Sequence, residues 1–131
     1  MSASRRRVLV VEDDSATRTL LSTGLSDDYE VADARNGREA IQSLESAEFD
    51  SVVLDLMMPV LDGFGVLHFV EKHRPELLSR VIVVTGADDY IVRLVPSGKV
   101  FDVLTKPCGL AELSDAVGRC CDDAATNPAE G

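Results

Sequence analysis

Five polar side chains in this sequence stand where apolar runs stop. Glu12 and Asp13 follow Val8-Leu9-Val10-Val11, Asp55 closes Val52-Val53-Leu54, Thr85 closes Val81-Ile82-Val83-Val84, and Lys106 follows a fifth run. Short β-branched runs without polar alternation read as strands of a parallel sheet covered on both faces, and such strands all end at one rim, where ligands bind. A lone strand-end Asp can equally cap a turn, so Asp55 alone leaves both roles open. Together the five groups constrain the chemistry. Three carboxylates at one rim repel each other by about 1 kcal/mol per pair at 4 Å in bulk water, and by more in a partly buried cleft. A hard divalent cation relieves that repulsion; Mg²⁺ takes one or two carboxylates and leaves positions for phosphate oxygens. Lys106 adds a compact cation and Thr85 a hydroxyl, both complementary to an incoming anion. A carboxylate held between a metal and a lysine is a nucleophile toward phosphorus, forming an aspartyl phosphate.

The elements that must position these groups follow in order. The run ending at Val11 predicts the first strand. Ser15 is placed as the cap of a helix that turns Leu20, Leu21 and Leu25 inward and ends at Ser26-Asp27-Asp28. Residues 29–34 form a less apolar strand, placed toward an edge, and Asn36-Gly37 leads into a helix with Ala40, Ile41, Leu44 and Ala47 on one face. The strand ending at Asp55 breaks at Pro59 and Gly63 into a helix with Phe64, Leu67 and Val70 inward, ending at His73-Arg74-Pro75. After the fourth strand a short helix from about Asp88 is cut by Pro96-Ser97-Gly98. Residues 100–104 form the fifth strand, and the last helix buries Leu110, Leu113, Val117 and Cys120 or Cys121. Five strands alternating with five helices predict a doubly wound α/β domain, a (βα)5 three-layer sandwich with a parallel five-stranded sheet in order 2-1-3-4-5. Residues 1–6 read as a flank, 7–121 as the domain and 122–131 as a disordered tail or linker.

Bulk properties narrow the partners. A chain of 131 residues has room for one domain. A net charge of −10 disfavours direct nucleic-acid binding, and Arg5-Arg6-Arg7 reads as a solvated flank. No run approaches the roughly 18 to 20 apolar residues of a membrane span, and none follows the N-terminal arginines as a secretory segment would, so a cytoplasmic location is expected. Three cysteines, an odd count, give no disulfide framework and read as small apolar residues. Gly63-Phe64-Gly65 lacks the third glycine of a dinucleotide fingerprint, where His68 stands, and no nucleotide P-loop occurs. His68 and His73 read as residues of a helix surface.

Four stretches complete the picture: Val8-Leu9-Val10-Val11-Glu12-Asp13-Asp14, then Leu54-Asp55-Leu56-Met57-Met58-Pro59-Val60-Leu61-Asp62-Gly63, then Val84-Thr85-Gly86, then Leu104-Thr105-Lys106-Pro107. In order and spacing they resemble the motifs of the receiver domain of two-component response regulators, over residues 7–121. The resemblance implies a flavodoxin-like fold and a phosphoryl group passed to Asp55 from a histidine on a sensor kinase or a histidine phosphotransfer protein. It implies Mg²⁺ bound by Asp13, Asp55 and the backbone carbonyl of Met57, with Glu12 acting through water, and phosphoryl oxygens held by Thr85 and Lys106. Lys106-Pro107 is a candidate cis bond. Such a domain catalyses only its own phosphorylation and dephosphorylation and is otherwise no enzyme. Its output is a downstream protein target or fused effector. It acts as a monomer or as a phosphorylation-dependent dimer through the helix after the fourth strand, the fifth strand and the last helix. In the family Thr85 moves toward the phosphoryl group and an aromatic residue on the fifth strand turns inward. Val103 occupies that aromatic position here, and Phe101, of the same parity, is expected to point to the same side.

Two rivals compete with this reading. A phosphatase of the haloacid-dehalogenase type needs a second Asp two residues after the nucleophile, where this chain has Met57. A receiver-like interaction module that never carries phosphate usually loses the acidic pair, the Asp or the Lys, and this chain keeps all of them.

Overall fold

In the computed structural model, which describes residues 5–56, 58, 62–86, 93–96 and 98–126, five short apolar runs pair into one parallel sheet. The strands are β1 (Arg7–Val11), β2 (Glu30–Ala34), β3 (Ser51–Asp55), β4 (Val81–Thr85) and β5 (Asp102–Thr105), in the order β2-β1-β3-β4-β5. The described helices are α1 (Ser15–Leu25), α2 (Gly37–Ser46), α3 (Gly63–His73), the single turn α4 (Pro75–Leu78) and α5 (Leu110–Thr126). None is long and apolar enough to cross a membrane.

Period-two alternation along buried strands builds two cores from one sheet. Val8, Val10, Val53, Ile82 and Val84 face α1 and α5, meeting Leu21, Leu25, Leu113 and Val117. Leu9, Val11, Val52, Leu54, Val81 and Val83 face α2 and α3, meeting Ala40, Leu44, Val66, Leu67 and Val70. The register sets the polar residues side by side: Val11 pairs with Leu54, Asp55 with Val84, and Thr85 with Thr105.

Several local expectations are corrected. Asp14, not Ser15, caps α1: its carboxylate accepts from the Thr17 backbone N–H at 2.8 Å and from the Thr17 hydroxyl at 2.6 Å. An ionised acceptor at a helix N-terminus also gains from the helix dipole, which a serine hydroxyl does not. Leu20 is 60% exposed, because Leu21 and Leu25, four apart, already form the buried stripe of α1. The chain beyond α3 adds the turn α4, started by Pro75 at its first position, where a missing N–H costs nothing.

β5 begins at Asp102 and not at residue 100, because the Lys99 and Val100 N–H groups both donate to the Pro96 carbonyl in a turn. The last helix continues past Cys121 to Thr126; the run 122–126 contains no Gly or Pro. The helix expected from about Asp88 lies largely outside the described residues. Arg5 and Arg6 are exposed, yet all three N-terminal arginines are tied down. Arg5 donates to the Ser26 and Asp27 carbonyls, Arg6 pairs with Asp50 at 3.7 Å, and Arg7 lies over the Phe49 ring.

The three thiols are free, with Cys120 and Cys121 buried in the α5 side of the core. Burial, then the neighbouring Cys120 and Asp50, pushes the Cys121 thiol up to about 12. Because its proton is held more tightly when folded, its contribution to stability is complete below the ordinary thiol value of 9 and is lost as pH rises toward about 12. Urea unfolding between pH 8 and pH 11 should show falling stability. Cys121→Ala should flatten part of that decline while lowering stability at pH 8 by about 1 kcal/mol. A different constraint governs Gly63. A Cβ there would stand 2.5 Å from the Leu56 Cα and 2.6 Å from the Asp55 carbonyl oxygen, while the Gly63 N–H donates to the Leu56 carbonyl at 2.8 Å. Gly63→Ala must push α3 off the end of β3, and thermal or urea unfolding should register a loss of about 1–3 kcal/mol.

Candidate functional site

The β1–α1 loop is built first. The Glu12 N–H continues the sheet by donating to the Ala34 carbonyl at 3.0 Å, which sets Glu12 at the rim. The chain then turns, and the Asp14 N–H donates back to the Glu12 carboxylate at 3.1 Å. Asp13 lies between them, exposed above the rim. Asp55 ends β3 next door; it and Glu12 are each only 4% exposed. One carboxylate oxygen from each of Glu12, Asp13 and Asp55 lies within 4.8 Å of the others.

Lys106 enters from the other side of the sheet. Its N–H donates to the Thr85 carbonyl at 2.9 Å, extending the β4–β5 pairing by one residue, and its peptide bond to Pro107 is cis. Its Nζ reaches back over the rim, 3.2 Å from Glu12 Oε1 and 3.3 Å from Asp55 Oδ2. Thr85, fully buried at the end of β4, is thus joined to Lys106 through the backbone.

The electrostatics show the strain of the arrangement. Burial holds the Glu12 carboxyl above the usual carboxylate range and the Asp55 charge adds to this, while the Asp14 N–H and Lys106 pull it down. For Lys106, burial opposes the ammonium, but Asp55 and Glu12 outweigh it and raise the group above the ordinary lysine value. The rim thus carries more negative charge than its lysine offsets. Among the described residues Glu12, Asp13 and Asp55 offer the carboxylate oxygens a hard cation such as Mg²⁺ takes, so the residues present fit that ion.

A cavity of about 510 Å³ opens beside the rim, with Glu12, Asp55 and Lys106 at its polar end and Leu20, Leu21 and Leu113 among its apolar walls. Glu12, Asp13, Asp55 and Lys106 therefore gather at one place, Thr85 is joined to them through the Lys106 backbone, and Met57, whose carbonyl was expected to contribute, lies outside the described residues. The expected switch pair divides. Val103 packs against the α2–α3 core and Phe101 against the α1–α5 core, so they point to opposite sides of the sheet. Phe101 precedes β5, where strand alternation does not apply, and its ring lies under the Arg119 guanidinium, 5.8 Å from the centroid. His68 and His73 are exposed, as expected of a helix surface.

Sequence reasoning missed Arg18. It lies in α1 with Nη1 2.9 Å from the Glu12 carbonyl oxygen and 3.3 Å from that of Asp13. The available signal was its distance along the chain, since an arginine in the second turn of a helix can reach back to the loop before it.

Comparison with known proteins matches this geometry. Residues 8–118 fit the family model of the response regulator receiver domain. The transcriptional regulatory protein TcrA of Mycobacterium tuberculosis is 36% identical over 109 residues, which are 82% of this chain and 42% of that protein. The chain therefore spans under half the length of this curated relative. A CheY-like response regulator receiver domain protein from Methanospirillum hungatei superposes with a TM-score of 0.86 at 25% identity, covering 95% of this chain and 99% of that one. The response regulator TrrA of Thermotoga maritima, solved in complex with Mg(2+)-BeF, gives a TM-score of 0.77 at 28% identity, covering 88% and 98%. A family match running from the second residue of β1 into α5, over a sheet of the same fold, has one consequence: this chain belongs to the response regulator receiver domains of two-component signalling.

Proposed function

We propose that Asp55 is the phosphoacceptor of this receiver domain. The observation that carries the reading is Lys106 Nζ held 3.3 Å from Asp55 Oδ2 within a rim of three converging carboxylates. An Asp55 oxygen attacks phosphorus, the P–N bond to the donor imidazole breaks, and its electron pair returns to the ring nitrogen. With an acyl phosphate donor the P–O bond breaks instead and a carboxylate leaves. Lys106 exchanges part of its contact with Asp55 and Glu12 for a phosphoryl oxygen, and Thr85 moves toward the same group, supplying its hydroxyl. Glu12, Asp13 and Asp55, with the carbonyl of Met57, would hold Mg²⁺, which when bound offsets the charge of the carboxylates and of the incoming oxygens. The similarity to TrrA, solved in complex with Mg(2+)-BeF, supports a Mg²⁺-dependent reading. Hydrolysis of the aspartyl phosphate on the same rim returns the domain to its resting state.

In this reading the donor is a sensor histidine kinase or a histidine phosphotransfer protein in the cytoplasm. The output is a downstream protein or a fused effector, reached as a monomer or through a dimer of the β5–α5 face. Movement of Thr85 passes to β5 through its carbonyl bond to Lys106, with Val103 and Phe101 as the side chains that change their packing.

Intact mass after incubation with acetyl phosphate tests the reading. The wild type should gain one phosphoryl group only with Mg²⁺ present, and Asp55→Asn should gain none. Asp13→Ala should lose the Mg²⁺ dependence with most of the activity. Lys106→Ala should slow acceptance by roughly 10²–10³-fold, the effect of removing one preorganised charge-stabilising donor. A stable phosphoryl group on Asp55→Asn would overturn the assignment. Absence of transfer to the wild type from both acetyl phosphate and a phosphohistidine donor would make the domain an interaction module.

A further inference from the structure

The acidic pair at the end of β1 must present Asp13 to a cation, yet Asp13 is exposed, so core packing does not aim its side chain. Arg18 contacts the backbone on both sides of it. Its Nη1 donates to two carbonyl oxygens, that of Glu12 at 2.9 Å and that of Asp13 at 3.3 Å. These belong to the planar peptide groups before and after the Asp13 Cα. Fixing both planes fixes the Cα–Cβ direction between them. The guanidinium is itself held: its side chain is only 18% exposed, and its Nε lies 4.0 Å from Asp33 Oδ2 on β2. The Ser22 hydroxyl on α1 touches the same Asp33 carboxylate at 3.5 Å. A planar fork pinned in this way loses little entropy on binding two acceptors, which a lysine in its place would not match.

Resting on the metal-dependent reading above, we propose that Arg18 is a positioning residue of the cation site, orienting Asp13 through the two peptide groups that flank it. The arrangement makes a prediction opposite in sign to a plain charge effect. A fixed positive charge near three carboxylates repels a cation, so by charge alone removing it would tighten Mg²⁺ binding. Loss of positioning weakens it. Partners that orient metal ligands carry about 10- to 100-fold in affinity.

Isothermal titration of the full chain with Mg²⁺ separates the two, using wild type, Asp13→Asn, Arg18→Ala, Arg18→Gln and Arg18→Lys. Circular dichroism melts confirm that each variant is folded at the titration temperature. Arg18→Ala should raise the Mg²⁺ Kd about tenfold. Arg18→Gln, which keeps an amide NH₂ donor and drops the charge, should raise it by less and serves if the alanine variant fails to fold. Arg18→Lys, which keeps the charge without the fork, should still bind more weakly than wild type. An unchanged or lower Kd in folded Arg18→Ala or Arg18→Gln overturns the positioning role, and so does a wild-type Kd in Arg18→Lys. If the wild type binds Mg²⁺, and Asp13→Asn does not, while the Arg18 variants match wild type, this inference falls and the metal-dependent reading stands. If the wild type binds no Mg²⁺, both fall.

Discussion

Like charge concentrated at one end of an apolar sheet is the constraint on which this structure turns. Three carboxylate oxygens lie within 4.8 Å of one another, two of them on side chains almost removed from solvent, and Lys106 and the Asp14 N–H act against their repulsion. Such a cluster lowers stability where it stands, so the remainder of the domain must hold it in place. The sheet does so with two cores, one on each face, so that each strand end is anchored by buried residues immediately before it: Val10 and Val11 before Glu12, Val53 and Leu54 before Asp55, Val83 and Val84 before Thr85. The transition from wholly buried to charged within one residue leaves no slack by which the carboxylates could relax apart.

Close approach does the same work from above. α3 begins at Gly63 directly over the Asp55–Leu56 peptide, where only a residue without a side chain fits, and Asp62 caps it by accepting from the Gly65 N–H at 3.1 Å. On the opposite side Asp14 caps α1. Both helices next to the rim therefore start with aspartates whose charge is spent on their own N-termini, and Glu12, Asp13 and Asp55 are left for the site. The sequence places five acids within or next to the two motifs, and capping geometry divides them into structural and functional ones.

That division explains which features were legible beforehand. The strands and the meeting of Glu12, Asp13, Asp55 and Lys106 at one rim follow from where apolar runs begin and stop, the buried stripes of α2 and α5 from helical spacing, all of it local information, while the strand order follows from the connection rules of parallel sheets. Asp14 as the cap, Leu20 on the outside and Arg18 as a clamp depend on how α1 is rotated about its axis, and Leu20-Leu21 offers two adjacent leucines with no local reason to prefer one. Phe101 was misjudged for a related reason. Parity is a property of a strand, and the turn at Pro96 takes the Lys99 and Val100 N–H groups that an earlier start of β5 would have needed.

The placement of Phe101 bears on how a change at the rim reaches the surface. Its ring is covered by Arg119, which also pairs with Asp102 at 3.5 Å and with Asp115 at 3.1 Å, so one guanidinium joins β5, the residue before it and α5. Val103, on the other side of the sheet, is a small β-branched residue with little freedom at χ1. Neither resembles an aromatic ring free to swing between two positions. The backbone offers the more direct link. Thr85 and Lys106 share a hydrogen bond, Thr85 pairs with Thr105, and Lys106 answers to Asp55 and Glu12 through its ammonium. In the proposed cycle, displacement of Thr85 and of the Lys106 side chain act on the same end of β5. On that reading β5, tied to α5 by the Arg119 contacts at its other end, is the element through which a change at the rim reaches the surface.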